Sequence, residues 1–528
     1  MNATDRDVHR ATTVVANRLP VQWHRNHGWR RAPGGLVTAL SSLPTGSIEW
    51  IGSTATLDNR PAPPRSEGFG AIAAVEIDNG TAEAAVDGMA NRTLWPALHG
   101  LTSRVRDREA YSAAYRRYNR SFAAHIAACS ASESSVWVHD YHLLLVPSLV
   151  KSVRSDLTVG LSLHTPFDDA AMSDLAMSGE LATALSRCDL IGVQTLADAD
   201  QLSAFCARSG FVPPVVVSPV SIDAGAIDHG SHARTNGSGH GGRTWSADHG
   251  VLIVGVDRLD YTKGLLERVA AYDLAFARGD MCPDDVRLVQ IAQPSRTGID
   301  DYRVLRVELE RLVHALNARW PRRDHTPVFD LRVGSFDRSD VLVLLAHADV
   351  AMVTPIRDGM NLVAKEFSIA TERHGGVLVL SSMAGAAAEL GPDSILVDGA
   401  CPESVAAGLG SALRLDSESR VAMAQRRAAA VRAWTSSDWA NSFLRRLGNG
   451  ASDDDVRPRT ESSPRPTALR RGNPIPINTA SQPRPRRTTS RPGRRVARPS
   501  VAHRDVIDPP IHTETLSSPA SGRDVIEP

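Results

Sequence analysis

The chain has 528 residues, more than one hydrophobic core normally serves, so two folded domains with an additional tail are expected. Apolar residues make up 42% and charged residues 22%, a globular composition that excludes a fibrous or wholly disordered protein. The 59 basic and 59 acidic residues cancel, so the chain as a whole carries no net charge to attract nucleic acid or an anionic membrane.

The five cysteines are scattered, odd in number and without a Cys-x-x-Cys pair, which favours a reducing cytoplasm over a disulfide scaffold. The polar first ten residues and the short apolar run Val14–Ala16 do not form a signal peptide. No stretch is long and apolar enough to span a bilayer. We therefore expect a cytoplasmic protein without a membrane partner.

Short apolar runs alternate with longer amphipathic stretches, the pattern of βα units in parallel sheets, so the predicted fold class is α/β. Periodic apolar spacing predicts helices at Glu267–Arg278 and Val304–Ala318. The predicted strands are Thr12–Ala16, Ser135–Val138, Thr158–Leu163, Leu190–Val193, Val215–Val217, Val251–Val256, Val286–Ile291, Val350–Val353 and Val377–Leu380.

The first strand ends in a candidate phosphate-binding region. Asn17 and Arg18 follow it, and Pro33-Gly34-Gly35 leads into a predicted helix at Val37–Leu43. Two glycines before a helix allow its N–H groups to approach a phosphate closely. The same tripeptide also occurs in plain turns.

Two later strands of the first half end in polar clusters. His139, Asp140 and His142 follow the strand Ser135–Val138, and His164 follows Thr158–Leu163. Because ligands of α/β proteins gather at the carboxyl ends of strands, two such ends in succession favour a site over buried histidines of purely structural role.

The stretch Asp228–Thr244 is rich in Gly, Ser and His and interrupts the pattern in mid-chain. We expect a flexible surface loop near a domain junction. Its three histidines are a weak metal signal in so flexible a segment.

The strand Val251–Val256 leads into Arg258 and Lys263, and two cations beside one loop suit a diphosphate. Alternatively, Arg258 pairs only with Asp257 or Asp260. The local sequence leaves both interpretations open.

The strand Val350–Val353 is followed by a turn with Asp358 and by a helix predicted to start near Asn361 and to carry Glu366. Carboxylates at this spacing can grip the hydroxyls of one polyol, and the helix N-terminus can hold phosphate oxygens. No Asp-x-Asp follows a strand in a position to chelate a sugar-nucleotide metal, so no metal site is predicted.

From Ala451 to Pro528 the composition turns to Pro, Arg, Ser and Thr, with fourteen arginines and no lysine. Such a segment cannot bury enough apolar surface to offset its ordering entropy, so a disordered tail is predicted. It repeats a hexamer, at Arg504–Pro509 and Arg523–Pro528. A solvated tail and a tail that docks an unknown partner both stay open.

Together these segments resemble the trehalose-6-phosphate synthase family. The resemblance runs from about Thr12 to about Leu447, and its most specific motifs are Val138–Leu143, Val256–Gly264 and Thr354–Glu366. It implies two Rossmann-like domains facing across a cleft in the GT-B manner. We place the acceptor-side domain at residues 1–240, the nucleotide-sugar domain at 241–450 and the disordered tail at 451–528.

The resemblance also implies the activity: retaining transfer of glucose from a nucleotide-glucose, UDP-glucose in the first instance, to glucose 6-phosphate. Neither a metal nor another cofactor is implied, and a homo-oligomer stays open. The implied catalytic residues are Asp140, His164, Arg258, Lys263 and Asp358. The implied donor-binding residues are Gly35, His164, Arg258, Lys263, Asp358, Met360, Asn361, Leu362 and Glu366. The implied acceptor-binding residues are Arg18, Trp95, Asp140 and Arg296.

The acceptor half departs from the family pattern. Ser53 replaces the second tryptophan of Trp-x-Gly-Trp, Val86 replaces a tyrosine, and Asp168 replaces the last proline of His-x-Pro-Phe-Pro. Two alternatives follow: a synthase of the glucosylglycerol-phosphate type that uses glycerol 3-phosphate, or a donor-binding but inactive regulatory paralogue. Arg18 and Arg296 have no carboxylate beside them in their own loops, so we expect a bound anion to join them.

Removal of every residue after Gly448 should leave turnover and melting temperature nearly unchanged, because the Pro/Arg-rich segment has no apolar face with which to dock. Steady-state kinetics and thermal denaturation of the truncated protein test this. A large loss of either quantity would show that the tail belongs to the folded enzyme.

Overall fold

The computed structural model of the chain describes residues 12–24, 28–32, 34–41, 48–53, 64, 70–227 and 250–449. The predicted loop Asp228–Thr244 and the predicted disordered tail lie outside these residues.

Two parallel sheets organise the described residues. The first has seven strands in the order β5-β4-β1-β6-β7-β8-β9, and the second has six in the order β12-β11-β10-β13-β14-β15. A separate antiparallel hairpin joins β2 to β3. The strands are β1 Thr12–Arg18, β2 Val21–His24, β3 Gly28–Arg31, β4 Ile48–Ser53, β5 Ala71–Val75, β6 Ser135–His139, β7 Thr158–Ser162, β8 Leu190–Val193, β9 Val215–Val217, β10 Val251–Arg258, β11 Val286–Gln293, β12 Phe329–Val333, β13 Val350–Val353, β14 Val377–Ser381 and β15 Ile395–Val397.

All nine predicted strands are present, because strands covered on both faces read as continuous apolar runs. β6 and β14, for example, are buried at every position. Six of the strands in the described residues were not predicted. β4 lies inside the first sheet and β2 and β3 form the separate hairpin, while β5, β12 and β15 lie at sheet edges and include exposed or partly exposed residues. Such short, half-buried edges give too weak an apolar signal to be recognised.

Helices cover the sheets, and both helices predicted from periodicity are confirmed, at Leu265–Arg278 and Asp300–Arg319. The first is delimited by Gly264 and Gly279, which both have positive φ. The other helices are Gly35–Leu40, Asn79–Ala82, Trp95–Leu98, Glu109–Cys129, Val146–Lys151, Asp169–Ser173, Ser178–Leu185, Leu196–Ala207, Arg338–His347, Leu362–Ala370, Ala387–Leu390, Pro402–Leu413, Ser417–Ala433 and Ser436–Asn449. No helix in the described residues has the length and apolar composition that crossing a membrane requires.

A wide π-type helix, Glu83–Leu94, joins Asn79–Ala82 to Trp95–Leu98. The side chain of Asp78 caps the start of this continuous segment by accepting from the Thr81 N–H at 2.8 Å. Wide turns of this kind are uncommon and concentrate at functional sites. Here the segment carries Trp95, one of the predicted acceptor residues.

The last described helix, Ser436–Asn449, packs on the first sheet rather than the second. Phe443 and Leu447 fill the space above two glycines, Gly160 in β7 and Gly192 in β8, where any Cβ would come within 3 Å of their side chains. The Phe443 ring stacks on Trp137 at 4.8 Å. This helix, which the sequence analysis places in the range 241–450, therefore packs on strands of the first sheet.

Phe443→Ala should lower the free energy of unfolding by about 3–5 kcal/mol, because it leaves a cavity above Gly160 and Gly192. Phe211→Ala is the matched control: Phe211 is 58% exposed, and its loss should change stability by less than about 0.5 kcal/mol. Chemical denaturation measures both values. Equal effects in the two variants would contradict the packing assigned to the last helix.

Candidate functional site

The predicted site residues lie at the points where the strand order of each sheet reverses. In the first sheet the order reverses between β1 and β6, and Arg18 and Asp140 lie at the ends of these strands. In the second it reverses between β10 and β13; Arg258 is the last residue of β10, and Asp358 lies in the loop after β13. Open α/β sheets bind ligands at such switch points.

A single loop of the second sheet brings the two switch points together. A Cβ on Gly359 would lie 2.0 Å from the carbonyl oxygen of His164, so the loop passes directly against the end of β7. The loop ends at Asn361, whose side chain accepts from the Ala364 N–H at 3.2 Å and caps the helix Leu362–Ala370. The predicted helix start near Asn361 is therefore confirmed.

Lys263 and Asp358 form a largely buried ion pair. The Lys263 ammonium donates to Asp358 Oδ2 at 2.6 Å, and Asn361 Nδ2 donates to the same oxygen at 3.0 Å. Burial opposes ionisation of Asp358, but the charge and hydrogen bond of Lys263 outweigh it and lower the pKa of this carboxyl. No described residue donates a hydrogen bond to Oδ1 of Asp358, so this oxygen is available to a ligand.

Asp140 adopts a backbone conformation that glycine normally occupies, with φ 71° and ψ 171°. The conformation aims its carboxylate at the end of β7, where Oδ1 accepts from the His164 N–H at 3.3 Å. Burial raises the pKa of Asp140, although the neighbouring His164 acts in the opposite sense. Backbone strain held in this way is typical of residues that position a ligand.

His164 belongs to a buried aromatic group. Its Nε2 lies 3.2 Å from Nδ1 of His139, and the two rings are stacked. Burial lowers the pKa of both histidines. Trp439 of the last helix packs against the two rings, so the correct placement of His164 depends on that helix.

Arg258 is the most accessible of the cations predicted at the second sheet. Its guanidinium lies 3.9 Å from Asp260 and 5.2 Å from the Trp95 ring, and its side chain is 44% exposed. The pairing with Asp260 that the sequence left open is therefore present, but it is a long contact. Arg258 is left with donors to offer to a diphosphate.

Arg296 corrects one expectation from the sequence. It is buried and pairs with Asp260, a carboxylate from the loop after β10, so no bound anion is needed to offset its charge. The same guanidinium donates to Asn91 at 2.8 Å and to the Tyr141 hydroxyl at 3.0 Å. The pairing of Arg296 with Asp260 was not predicted from the sequence, because the two residues lie 36 positions apart in the chain.

Arg296 also lies 4.0 Å above the ring of Trp95, and Trp95 is itself buried. The arginine thus links the second sheet to the wide helix of the first. It is a fixed part of the site rather than a mobile clamp.

The end of β1 presents Arg18 to solvent from a fixed backbone. The Trp50 indole donates to the Arg18 carbonyl at 3.0 Å, and a Cβ on Gly52 would lie only 2.6 Å from the same residue. Burial, together with the charges of Arg18, Arg296 and Arg258, holds the pKa of His142 well below its usual range. Three of the predicted arginines therefore act electrostatically on the same histidine.

Ser53, where the family pattern has tryptophan, is buried beside another aromatic residue. The hydroxyl of Tyr118 donates to Asn17 at 2.5 Å and hydrogen-bonds with Ser53, which contributes to its pKa. Tyr118 comes from the helix Glu109–Cys129, remote in sequence from Ser53. The position therefore lacks its tryptophan but has an aromatic neighbour.

The predicted nucleotide-facing residues also meet. A Cβ on Gly35 would lie 2.8 Å from Leu362, so the glycine loop of the first sheet touches the start of the helix Leu362–Ala370. Glu366, on that helix, accepts from Arg338 at 2.9 Å. Burial raises the pKa of Glu366, and Arg338 opposes the effect. Arg338 was not predicted, because it lies 28 residues before Glu366 in the chain.

Asp168, another departure from the family pattern, joins the two halves of the site. It accepts from Arg357 at 2.8 Å, and the same guanidinium donates to the Phe167 carbonyl at 2.7 Å. The departure from proline at Asp168 was the sequence feature from which the contact with Arg357 could have been predicted.

No group of three or more His, Cys, Asp or Glu side chains in the described part of the chain is arranged to hold a metal ion.

Paired Rossmann-like sheets, with cations and carboxylates gathered at both switch points, define a sugar-transferring enzyme of the GT-B class. Residues 10–449 match the profile of glycosyltransferase family 20. The chain belongs to this family and is a glycosyltransferase.

Curated relatives and solved structures both support this family assignment. The trehalose-6-phosphate synthase of Mycobacterium marinum is 34% identical over 477 residues, covering 84% of this chain and 95% of the relative. A UDP-forming alpha,alpha-trehalose-phosphate synthase from Burkholderia xenovorans, solved in complex with glucose-6-phosphate, is 28% identical with a TM-score of 0.75, covering 83% of this chain and all of that one.

An E. coli structure bound with UDP-2-fluoro glucose is 26% identical with a TM-score of 0.74, covering 83% of this chain and 99% of its own. The predicted family and the predicted fold class of two Rossmann-like domains are confirmed.

Lys263→Met should destabilise the protein by about 3–5 kcal/mol at neutral pH, because it leaves the Asp358 carboxylate buried without its cation. Adding Asp358→Asn should recover part of this loss. In the single variant, burial raises the pKa of Asp358, so the folded state favours the protonated acid. Its deficit relative to wild type should therefore shrink between about pH 7 and about pH 5.

Chemical denaturation of the wild type and the single and double variants at both pH values measures this coupling. The pair would contribute nothing to folding if two results were found together. The losses in the free energy of unfolding would have to add in the double variant, and the loss in Lys263→Met would have to be the same at both pH values.

Proposed function

We propose that this chain transfers glucose from UDP-glucose to glucose 6-phosphate with retention of configuration, forming trehalose 6-phosphate. The observation that carries the proposal is the meeting of the Asp358 loop with the end of β7, which puts donor-type and acceptor-type groups at one junction. Relatives solved with glucose-6-phosphate and with UDP-2-fluoro glucose support the two substrates.

On the donor side, Arg258 supplies the accessible cation and Lys263 the buried one. We propose that both contact the diphosphate, with Lys263 shared between a phosphate oxygen and Asp358. The free oxygen of Asp358 and the ring of His164 then hold the transferred glucose. The backbone of Met360, Asn361 and Leu362 and the close approach of Gly35 enclose the same sugar nucleotide.

Glu366 is the proposed ribose acceptor. Its carboxylate already accepts from Arg338, so the ribose hydroxyl would share this carboxylate with the guanidinium. The pairing keeps a buried carboxylate in place before the donor arrives.

In the proposed transfer, the bond between the anomeric carbon and the diphosphate oxygen breaks as the acceptor hydroxyl forms its bond on the same face. The proton of that hydroxyl passes to the departing diphosphate. Arg258 and Lys263 stabilise the negative charge that grows on the leaving group, and Asp140 and Asp358 align the two sugars. We propose that these cations take the place of a metal ion.

On the acceptor side, Arg18 is the proposed phosphate contact, because it is exposed at the end of β1. Arg296 adds charge from a fixed position, since four hydrogen bonds to Asn91, Asp260, Tyr302 and Tyr141 already hold it. Trp95 lies beneath this guanidinium. The relatives favour glucose 6-phosphate over glycerol 3-phosphate and favour an enzyme over an inactive paralogue.

A cytoplasmic location is part of the proposal. It is supported by the five cysteines, which are all free. A homo-oligomer and a partner of the tail stay hypotheses from the sequence.

The decisive experiment incubates the purified chain with UDP-, GDP- or ADP-glucose and with glucose 6-phosphate, glycerol 3-phosphate or glucose, and identifies products by mass. Trehalose 6-phosphate should form, and unphosphorylated glucose should not react. A glucosylated glycerol phosphate as the main product would transfer the assignment to the other acceptor.

Arg258→Ala should lower turnover by about a hundredfold or more without changing the melting temperature, because it removes one charge-assisted contact to a developing anion. Arg303→Ala is the matched control, since Arg303 is also an exposed arginine next to an aspartate but lies on the outer face of a helix. Steady-state kinetics should separate the two variants. Wild-type turnover in Arg258→Ala would remove the diphosphate assignment.

A further inference from the structure

His99 has one ring nitrogen with a fixed role and one without a partner. It follows the helix Trp95–Leu98, is 3% exposed, and places Nδ1 2.7 Å from the carbonyl oxygen of Trp95. A carbonyl can only accept, so Nδ1 carries the proton. Burial lowers the pKa of His99 to about 4, which keeps the ring neutral. Nε2 is therefore a lone-pair acceptor, and it is buried without a partner among the described residues.

The unpartnered nitrogen belongs to the junction between the two sheets. Asp260, Asp358 and Lys263 all act electrostatically on His99, and His99 in turn contributes to the pKa of Asp358. The next residue, Gly100, is held just as closely: a Cβ there would lie 3.3 Å from the guanidinium of Arg357, the neighbour of Asp358. The packing of Gly100 therefore places its neighbour His99 near the loop that is proposed to bind the donor sugar, and the charge interactions agree with this position.

The aromatic surroundings fix the direction of the ring. His99 is tilted against Trp95 with the ring centroids 4.2 Å apart, and the hydrogen bond of Nδ1 to the same residue prevents rotation. A buried acceptor without a donor is unfavourable, and native proteins rarely keep one without a functional reason. The nitrogen therefore requires a donor from outside the described residues.

We propose that Nε2 of His99 accepts a hydrogen bond from a hydroxyl of the glucose that is transferred, opposite the carboxylate of Asp358. This specificity contact rests on the proposed function, because it requires a glucosyl donor at the Lys263–Asp358 pair. Two acceptors facing one ligand need a ligand with several hydroxyl donors, which a hexose has and a nucleoside diphosphate lacks at this position.

The test compares binding of UDP-glucose with binding of UDP by isothermal titration calorimetry, in the wild type and in two variants of the full chain. His99→Asn keeps an N–H where Nδ1 was and removes the acceptor. His99→Gln places an amide oxygen near the position of Nε2 and gives up the bond to Trp95. The two variants therefore separate the two nitrogens of the ring.

His99→Asn should weaken UDP-glucose binding by about three- to tenfold and leave UDP binding unchanged, because only the sugar contact is lost. His99→Gln should bind UDP-glucose more tightly than His99→Asn. Unchanged UDP binding also shows that each variant is folded.

Three results would overturn the inference: equal weakening of UDP and UDP-glucose in His99→Asn, no weakening of either, or a larger selective loss in His99→Gln than in His99→Asn. These results leave the proposed function standing if wild type binds UDP-glucose more tightly than UDP and forms product. Absence of UDP-glucose binding in wild type would remove both the function and the role of His99.

Discussion

The site depends on one close contact between the two sheets, where the loop after β13 meets the end of β7. Gly359 has no room for a side chain beneath the carbonyl of His164, and Gly385 has none beneath the carbonyl of Gly359. Three layers of backbone are thus stacked without side chains between them. Because the loop cannot move away from β7 without losing this packing, the position of Asp358 relative to His164 is set by backbone sterics.

The buried charges are arranged around this contact. Lys263 neutralises Asp358, and Arg296 neutralises Asp260, so each of these two buried carboxylates has its own cation. Removing one member of such a pair is costly because the other remains desolvated. Arg18 and Arg258 differ from these pairs in being accessible, which makes them the cations that a phosphorylated ligand can reach.

The departures from the family pattern are accommodated by local replacements. Asp168 forms an ion pair with Arg357 across the junction, and Tyr118 supplies a hydroxyl beside Ser53. The ion pair of Asp168 is a contact that proline cannot make. Both positions that depart from the family pattern are therefore joined to neighbouring residues by polar contacts.

The sequence alone determined the features that depend on local pattern. Continuous apolar runs identified nine strands, and the polar residues at or shortly after their ends included Asp140, His164, Arg258 and Asp358, because a strand end fixes where the next residues lie. The motifs also identified the family. Tertiary structure alone decided which groups pair: Arg296 with Asp260, Glu366 with Arg338, and the helix Ser436–Asn449 with the first sheet. His99 belongs with these, since its unpartnered nitrogen exists only because distant elements bury the ring. Such contacts join residues far apart in the chain, and periodicity or local spacing carries no information about them.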